Sequence, residues 1–282
     1  MDSSGLDEFM SLVTLMSSQW KELKADLQAG KVLYTDSTGI KNYTFFKVFD
    51  DVFNQTRPFF DVPLSAVKHM YRAVNEEKCD YQRMIPKIEY AKEHNRMNPA
   101  GQVFLYAGID SLGYKENKSL IIKTCLKEIR APLDSIATVC KFKITAAGRK
   151  KKVINICGDD TIPKTQNELH KYIFDQYKSI WFTRGREMSM RELARTMAKV
   201  YFNLFSSDQI FKPIDNNIDL KEKEREYASF HALAHYIREA GYGGIIYKST
   251  VCKGGRNIVL FDTMDASFVP NTLQQVKVSD YQ

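Results

Sequence analysis

The chain has 282 residues, 44% hydrophobic and 12% aromatic, which excludes disorder throughout and allows one large domain or two small ones. Its 41 Lys and Arg against 34 Asp and Glu leave a net charge of +7, which suits either a solvated basic surface or an anionic partner. Five scattered cysteines with no CxxC pair exclude a disulfide framework and a cysteine zinc site, and they fit a reducing cytoplasm.

Asp2, Asp7 and Glu8 oppose a secretory leader, and no apolar run of about 18 residues marks a membrane span. Residues 6–29 predict a helix. Leu6, Phe9, Met10, Val13, Met16, Trp20, Leu23 and Leu27 recur at three- and four-residue steps, and Gly30 ends the pattern. That stripe fits packing on a core, or an arm for a partner or for self-association. Residues 31–65 mix turn formers with aromatics, among them Phe45, Phe46, Phe49 and Phe53, and read as short helices and loops. Pro58 and Pro63 bound the next unit.

Residues 67–74 alternate as a strand, with Lys68, Met70 and Arg72 on one side and His69 and Tyr71 on the other. A second strand is expected at 103–107, and a helix at 119–130 closed by Pro132. Residues 136–144 alternate well. The turn 148–152 then leads to a partner strand at 153–157, which puts the basic run Lys150–Lys151–Lys152 at a hairpin tip. Residues 165–205 read as helical, most clearly where Leu193, Met197, Val200, Tyr201 and Leu204 share a stripe. Charges alternating over 221–226 start another helix, which continues through 231–240 to a cap at Gly241. His231 and His235 share one side of it, with no glutamate in the HExxH position to suggest zinc. A glycine turn then joins two short strands carrying Ser249 and Asn257 to the same sheet rim. Neither GxGxxG nor GxxxxGK[ST] occurs.

Three polar stretches stand out from apolar surroundings: Tyr71-Arg72, the segment 95–101 running into Tyr106, and the hairpin with Ser249 and Asn257. Between them lies Glu128, near a helix C-terminus where the macrodipole disfavours an anion. Each has an ordinary explanation alone. Arg72 reads as an edge-strand charge, Glu128 as an exposed residue paired with Arg130 or Lys127, Ser249 as a strand end and Tyr106 as core.

Taken in order, however, they resemble the RES domain family, named for its Arg, Glu and Ser. The stretches that carry the resemblance are Met70-Tyr71-Arg72, the NPxG segment from Asn95 to Tyr106, Thr124 to Glu128, and Gly241 to Phe261. Asn95 stands where the family has glycine, and Cys125 where it has alanine. The stretch 107–123 is longer than the family needs, which makes Glu116 the rival of Glu128. The resemblance spans roughly 66–265. It divides the chain into an N-terminal helical extension, 1–65, and a catalytic domain, 66–282.

The resemblance implies an α+β, ADP-ribosyltransferase-like fold with a mixed, largely antiparallel sheet and flanking helices. It implies an NAD+-consuming toxin that breaks the nicotinamide–ribose bond with water or phosphate, without a metal, and is silenced by an Xre-like antitoxin. On that reading Arg72, Glu128 and Ser249 are catalytic, while Tyr71, Arg96, Tyr106 and Asn257 bind the dinucleotide. The alternatives are ADP-ribosyl transfer to a macromolecule and a non-catalytic nucleic-acid module using Lys150–Lys151–Lys152; a membrane role is not expected.

Overall fold

The computed structural model describes residues 3–281 apart from 111, 113–114, 158–161, 163–165, 206–209, 212–213 and 216–217. The side chains of Leu6, Phe9, Met10, Val13 and Leu204, named in the stripes above, lie outside those described. The elements in order are α1 (Ser3–Gln28), α2 (Ser37–Lys41), α3 (Thr44–Thr56), β1 (Asp61–Pro63), β2 (Met70–Val74), α4 (Tyr81–Met84), β3 (Leu105–Ile109) and α5 (Lys118–Glu128). They continue with β4 (Ile136–Ile144), β5 (Lys152–Asn155), α6 (Gln166–Arg184), α7 (Met190–Phe205), α8 (Leu220–Glu239), β6 (Gly244–Lys248), β7 (Arg256–Leu260), β8 (Ala266–Phe268) and β9 (Gln274–Lys277). No helix among the described residues is long and apolar enough to cross a membrane.

The strands form one sheet in the order β1-β5-β6-β7-β3-β2-β4-β8, with β9 also on β4. Every pairing is antiparallel except β5 with β6. The α+β class with a largely antiparallel sheet and flanking helices is therefore as expected.

One pairing expected from the sequence is overturned. Strand β5 is not the hairpin partner of β4; it lies between β1 and β6, while β4 pairs with β2, β8 and β9. The edge of β4 is already taken by β8, and residues 145–151 cross the sheet end instead of turning back. Their crossing is anchored where the Thr145 amide donates to the Asp265 carbonyl at 2.9 Å. Lys151 and Lys152 are held in ion pairs with Asp265 and Asp61, both at 2.7 Å, so most of the basic run is locally neutralised.

Three hydrophobic clusters pack on the sheet, one of them joining Leu64, Met70, Leu105, Phe142, Ile246 and Ile258. The largest joins Trp20 and Leu23 of α1, Phe45, Phe46, Phe49 and Phe53 of α3, and the inner faces of α7 and α8 to Ile245 and Val259 of the sheet. Residues 31–65 thus hold a 13-residue amphipathic helix, α3, where short helices and loops were expected. A further cluster seats α5 through Ile121, Ile122, Cys125 and Leu126 on Tyr71, Ala73, Ala137 and Val139. Gly108 permits that seat, since a Cβ there would meet Cys125 Sγ at 2.7 Å and the Ile121 carbonyl at 3.0 Å.

Candidate active site

An open cavity of about 450 Å³ lies where the end of β2, the start of β3, the loop 93–98 and the C-terminus of α5 meet. Arg72, Arg96, Tyr106, Glu128 and Asn257 line it. Such a volume is ordinary for a small-molecule site.

Glu128 is the last residue of α5, and its placement depends on close approach of the β6–β7 hairpin. Gly255 makes that approach possible, because a Cβ would strike Thr124 Oγ1 at 2.4 Å. The Ser249 hydroxyl donates to Glu128 Oε1 at 2.7 Å, and Asn257 Nδ2 donates to the same oxygen at 2.6 Å. Ser249 Oγ itself accepts from the amides of Val251 and Cys252, at 3.3 and 3.0 Å, which fixes its hydroxyl direction. Two donors thus hold a carboxylate where the helix dipole would repel it. Both bonds fall on Oε1, so Oε2 remains for a ligand.

Past Glu128 the helix ends in a Schellman turn, in which the Ala131 amide donates to the Leu126 carbonyl and the Arg130 amide to Lys127, both at 3.1 Å. Arg130 occupies the left-handed position with φ +50°, where glycine is usual and a side chain is strained by roughly 1 kcal/mol. Its guanidinium lines the cavity and donates to the Ile214 carbonyl.

Arg72 sits at the inner wall. One Nη donates to the Tyr106 carbonyl at 3.0 Å, while its buried Nε has no partner. Burial, with repulsion from Arg83, pushes its pKa down to about 10, so it stays cationic at neutral pH. Arg83, Arg96, Arg130, Lys87 and Lys223 also line the cavity, against the carboxylates of Glu93 and Glu128. Glu93 is paired with Lys223 at 2.7 Å, so the remaining field favours an anion. Arg96 lies over Phe211 and Phe230 and reaches Thr250 Oγ1 at 3.5 Å.

Tyr106 braces the NPxG loop. Its hydroxyl accepts from the Met97 amide at 3.0 Å and donates to Asn98 Oδ1 at 2.6 Å, while burial pushes its phenol well above the ordinary pKa. Asn98 then donates to the Gln102 carbonyl at 2.9 Å. His231 of α8 supports the same loop, with Nε2 2.9 Å from the Asn95 carbonyl.

Burial lowers the His231 pKa to about 4. Because this lies below the unfolded value of about 6.5, the unfolded chain binds the extra proton. Stability from this residue is therefore full above pH 6.5 and lost as pH falls toward 4, by on the order of 3 kcal/mol. Urea unfolding of wild type and His231→Gln across that window measures it: the acid loss is smaller in the variant, and parallel curves would exclude His231 as its source.

Tyr71 is not brought to the cavity. It projects from the opposite face of β2 to Arg72, is buried against α5 and donates to Glu116 Oε1 at 2.7 Å. Glu116 also lies away from the cavity, accepting from Lys141 Nζ at 2.9 Å. Burial works against its carboxylate, yet the bonds from Lys141 and Tyr71 hold its pKa below the ordinary value. Arg83, Tyr90 and Arg130 were not singled out as site residues from the sequence. Arg83 stacks over the Tyr90 ring at 4.4 Å and pairs with Glu76 at 2.6 Å, and no local spacing announces this rim.

Comparison with known proteins gives few matches. No curated protein matches the chain. A chain of the crystal structure of the M. tuberculosis MbcT–MbcA toxin–antitoxin complex is similar with a TM-score of 0.41 and 9% identity, over 82% of this chain and 94% of that chain. A family model of the RES domain matches residues 185–279, the stretch that holds Ser249 and Asn257. That is the family which the order of the polar stretches resembles, and the matched stretch leaves Arg72, Arg96, Tyr106 and Glu128 outside it.

Proposed function

We propose that the protein is an NAD+-consuming toxin that breaks the nicotinamide–ribose bond of the free dinucleotide. The observation that carries this reading is that Glu128 and Asn257 line one cavity with Arg72, while Ser249, which is not among the lining residues, holds Glu128 by a hydrogen bond. The RES match over residues 185–279, which holds Ser249 and Asn257, supports it.

In the proposed reaction the C–N bond pair leaves with nicotinamide, which becomes neutral, and positive charge develops on the ribose. Glu128 Oε2 faces that charge or holds a ribose hydroxyl, while Ser249 and Asn257 keep the carboxylate aimed. Water adds at the anomeric carbon and loses a proton, giving ADP-ribose, nicotinamide and H⁺; inorganic phosphate in its place gives the 1″-phosphate. Arg72 and Arg96 bind the pyrophosphate, to which a guanidinium offers paired donors. The Tyr106 ring borders the nicotinamide end and keeps water out.

Residues 1–65 are, on this reading, an extension laid on the catalytic domain 66–282. An Xre-like antitoxin and a cytoplasmic setting belong to the same proposal and rest on the family resemblance.

Incubating the full chain with NAD+ tests it, with products separated by HPLC with and without phosphate. Free nicotinamide with ADP-ribose or its 1″-phosphate is expected. NAD+ that stays intact until a protein or nucleic acid is added would instead favour macromolecular transfer, and NAD+ intact throughout would overturn the reading.

A further inference from the structure

Helix α6 is apolar on two opposite sides. Leu169 and Ile173 are buried with Val200 of α7. Facing away from them, Phe174, Trp181 and Phe182 are 56%, 50% and 81% exposed, with Tyr177 on the flank at 37%. A helix that is apolar all round is ordinarily buried all round. Exposed aromatics grouped in this way mark an interface.

We infer that this face is the seam of a homodimer, in which two copies lay α6 antiparallel across a two-fold axis level with Gln176. The pattern of the helix is self-complementary in that arrangement. At 100° per residue, Lys171, Phe174, Lys178, Trp181 and Phe182 fall within about 100° of arc. Antiparallel about Gln176, Lys171 stands level with Trp181 of the second copy, and Phe174 level with its Lys178. Each ammonium meets a ring, and each contact occurs twice, as an isologous interface requires. Lys178 already lies over the Phe174 ring of its own chain at 4.5 Å.

The rings supply part of the area a dimer needs. At about 200 Å² per aromatic side chain, Phe174, Trp181 and Phe182 offer roughly 370 Å² per copy. A standard interface buries about 800 Å² per partner, and the stems of Lys171 and Lys178 add to the rings. A nucleic acid fits less well. Arg184 and Arg186 beside the face are paired with Glu192 at 3.0 and 2.8 Å, which leaves two lysines on the face for phosphates.

Sedimentation equilibrium of the full chain over a range of concentrations tests the seam, with circular dichroism to check folding. Wild type is expected at twice the chain mass. Trp181→Glu should weaken association at least about 30-fold without loss of helicity. Phe174→Lys should weaken it as well, and the exchanged pair Phe174→Lys/Lys178→Phe should restore it, since the exchange preserves the cross-dyad pairing. A wild type monomeric at all concentrations would overturn the inference. So would a Trp181→Glu dimer as tight as wild type, or a monomeric wild type that instead binds RNA through α6.

Discussion

Glu128→Gln is expected to lower NAD+ consumption by about 10²-fold or more while leaving the fold intact. The substitution keeps the shape of the side chain, and the glutamine oxygen can still accept from Ser249 and Asn257. What disappears is the negative charge opposite the developing ribose cation, a loss of about 3 kcal/mol or more in transition-state stabilisation. Stability should move the other way. Glu128 ends α5, where an anion opposes the dipole, so removing the charge is worth up to about 1 kcal/mol. A slower enzyme with an unchanged or higher Tm is the signature of a carboxylate kept for chemistry at the expense of the helix. Glu116→Gln is the control: it weakens the bonds to Lys141 and Tyr71, so its effect should fall on Tm and leave turnover untouched. NAD+ loss at the wild-type rate in Glu128→Gln would remove this residue from the mechanism, and loss of turnover in Glu116→Gln would transfer the role to its rival.

Local pattern explains which parts of the molecule could be read in advance. Strand β4 occupies 136–144, the bounds read from its alternation, although residues 137–140 are buried on both faces, with Ala137 and Val139 covered by α5. Helix α1 and the β6–β7 hairpin were legible for similar reasons, in helical spacing and a glycine turn. The meeting of Glu128 with Ser249 and Asn257 was legible only through the family pattern, since residues over 120 apart carry no shared periodicity. Pairing across the sheet was not legible. Strand β5 is four residues long with two central buried positions, a pattern that suits β4 as well as its actual neighbours, β1 and β6. The side of Tyr71 followed from alternation once Arg72 was placed, and taking both for one site ran against that period. Arg130 enters the cavity from a left-handed residue, a conformation that arginine does not advertise.

Phe49→Ala is expected to cost about 3–5 kcal/mol, the largest stability effect of any change considered. Phe49 is fully buried, and its ring lies 5.7 Å from Phe53 and Phe205, 5.9 Å from Phe202 and 5.7 Å from Tyr236. It therefore joins three helices at once: α3 to α7 and to α8. Truncation leaves a ring-sized void among side chains that are themselves rigid aromatics, so collapse around it is poor and the cost lies toward the upper end. Domains are stable by only about 5–15 kcal/mol, so a large fraction of the total is at stake. The consequence reaches the cavity, because α8 also carries His231, which supports the carbonyl of Asn95 in the loop that bears Arg96. Urea unfolding should show a lower midpoint in a single transition, with the aromatic layer of α1 and α3 melting together with the sheet. Two separated transitions, with NAD+ consumption surviving the first, would show instead that residues 1–65 are a detachable layer and that the catalytic domain stands without them.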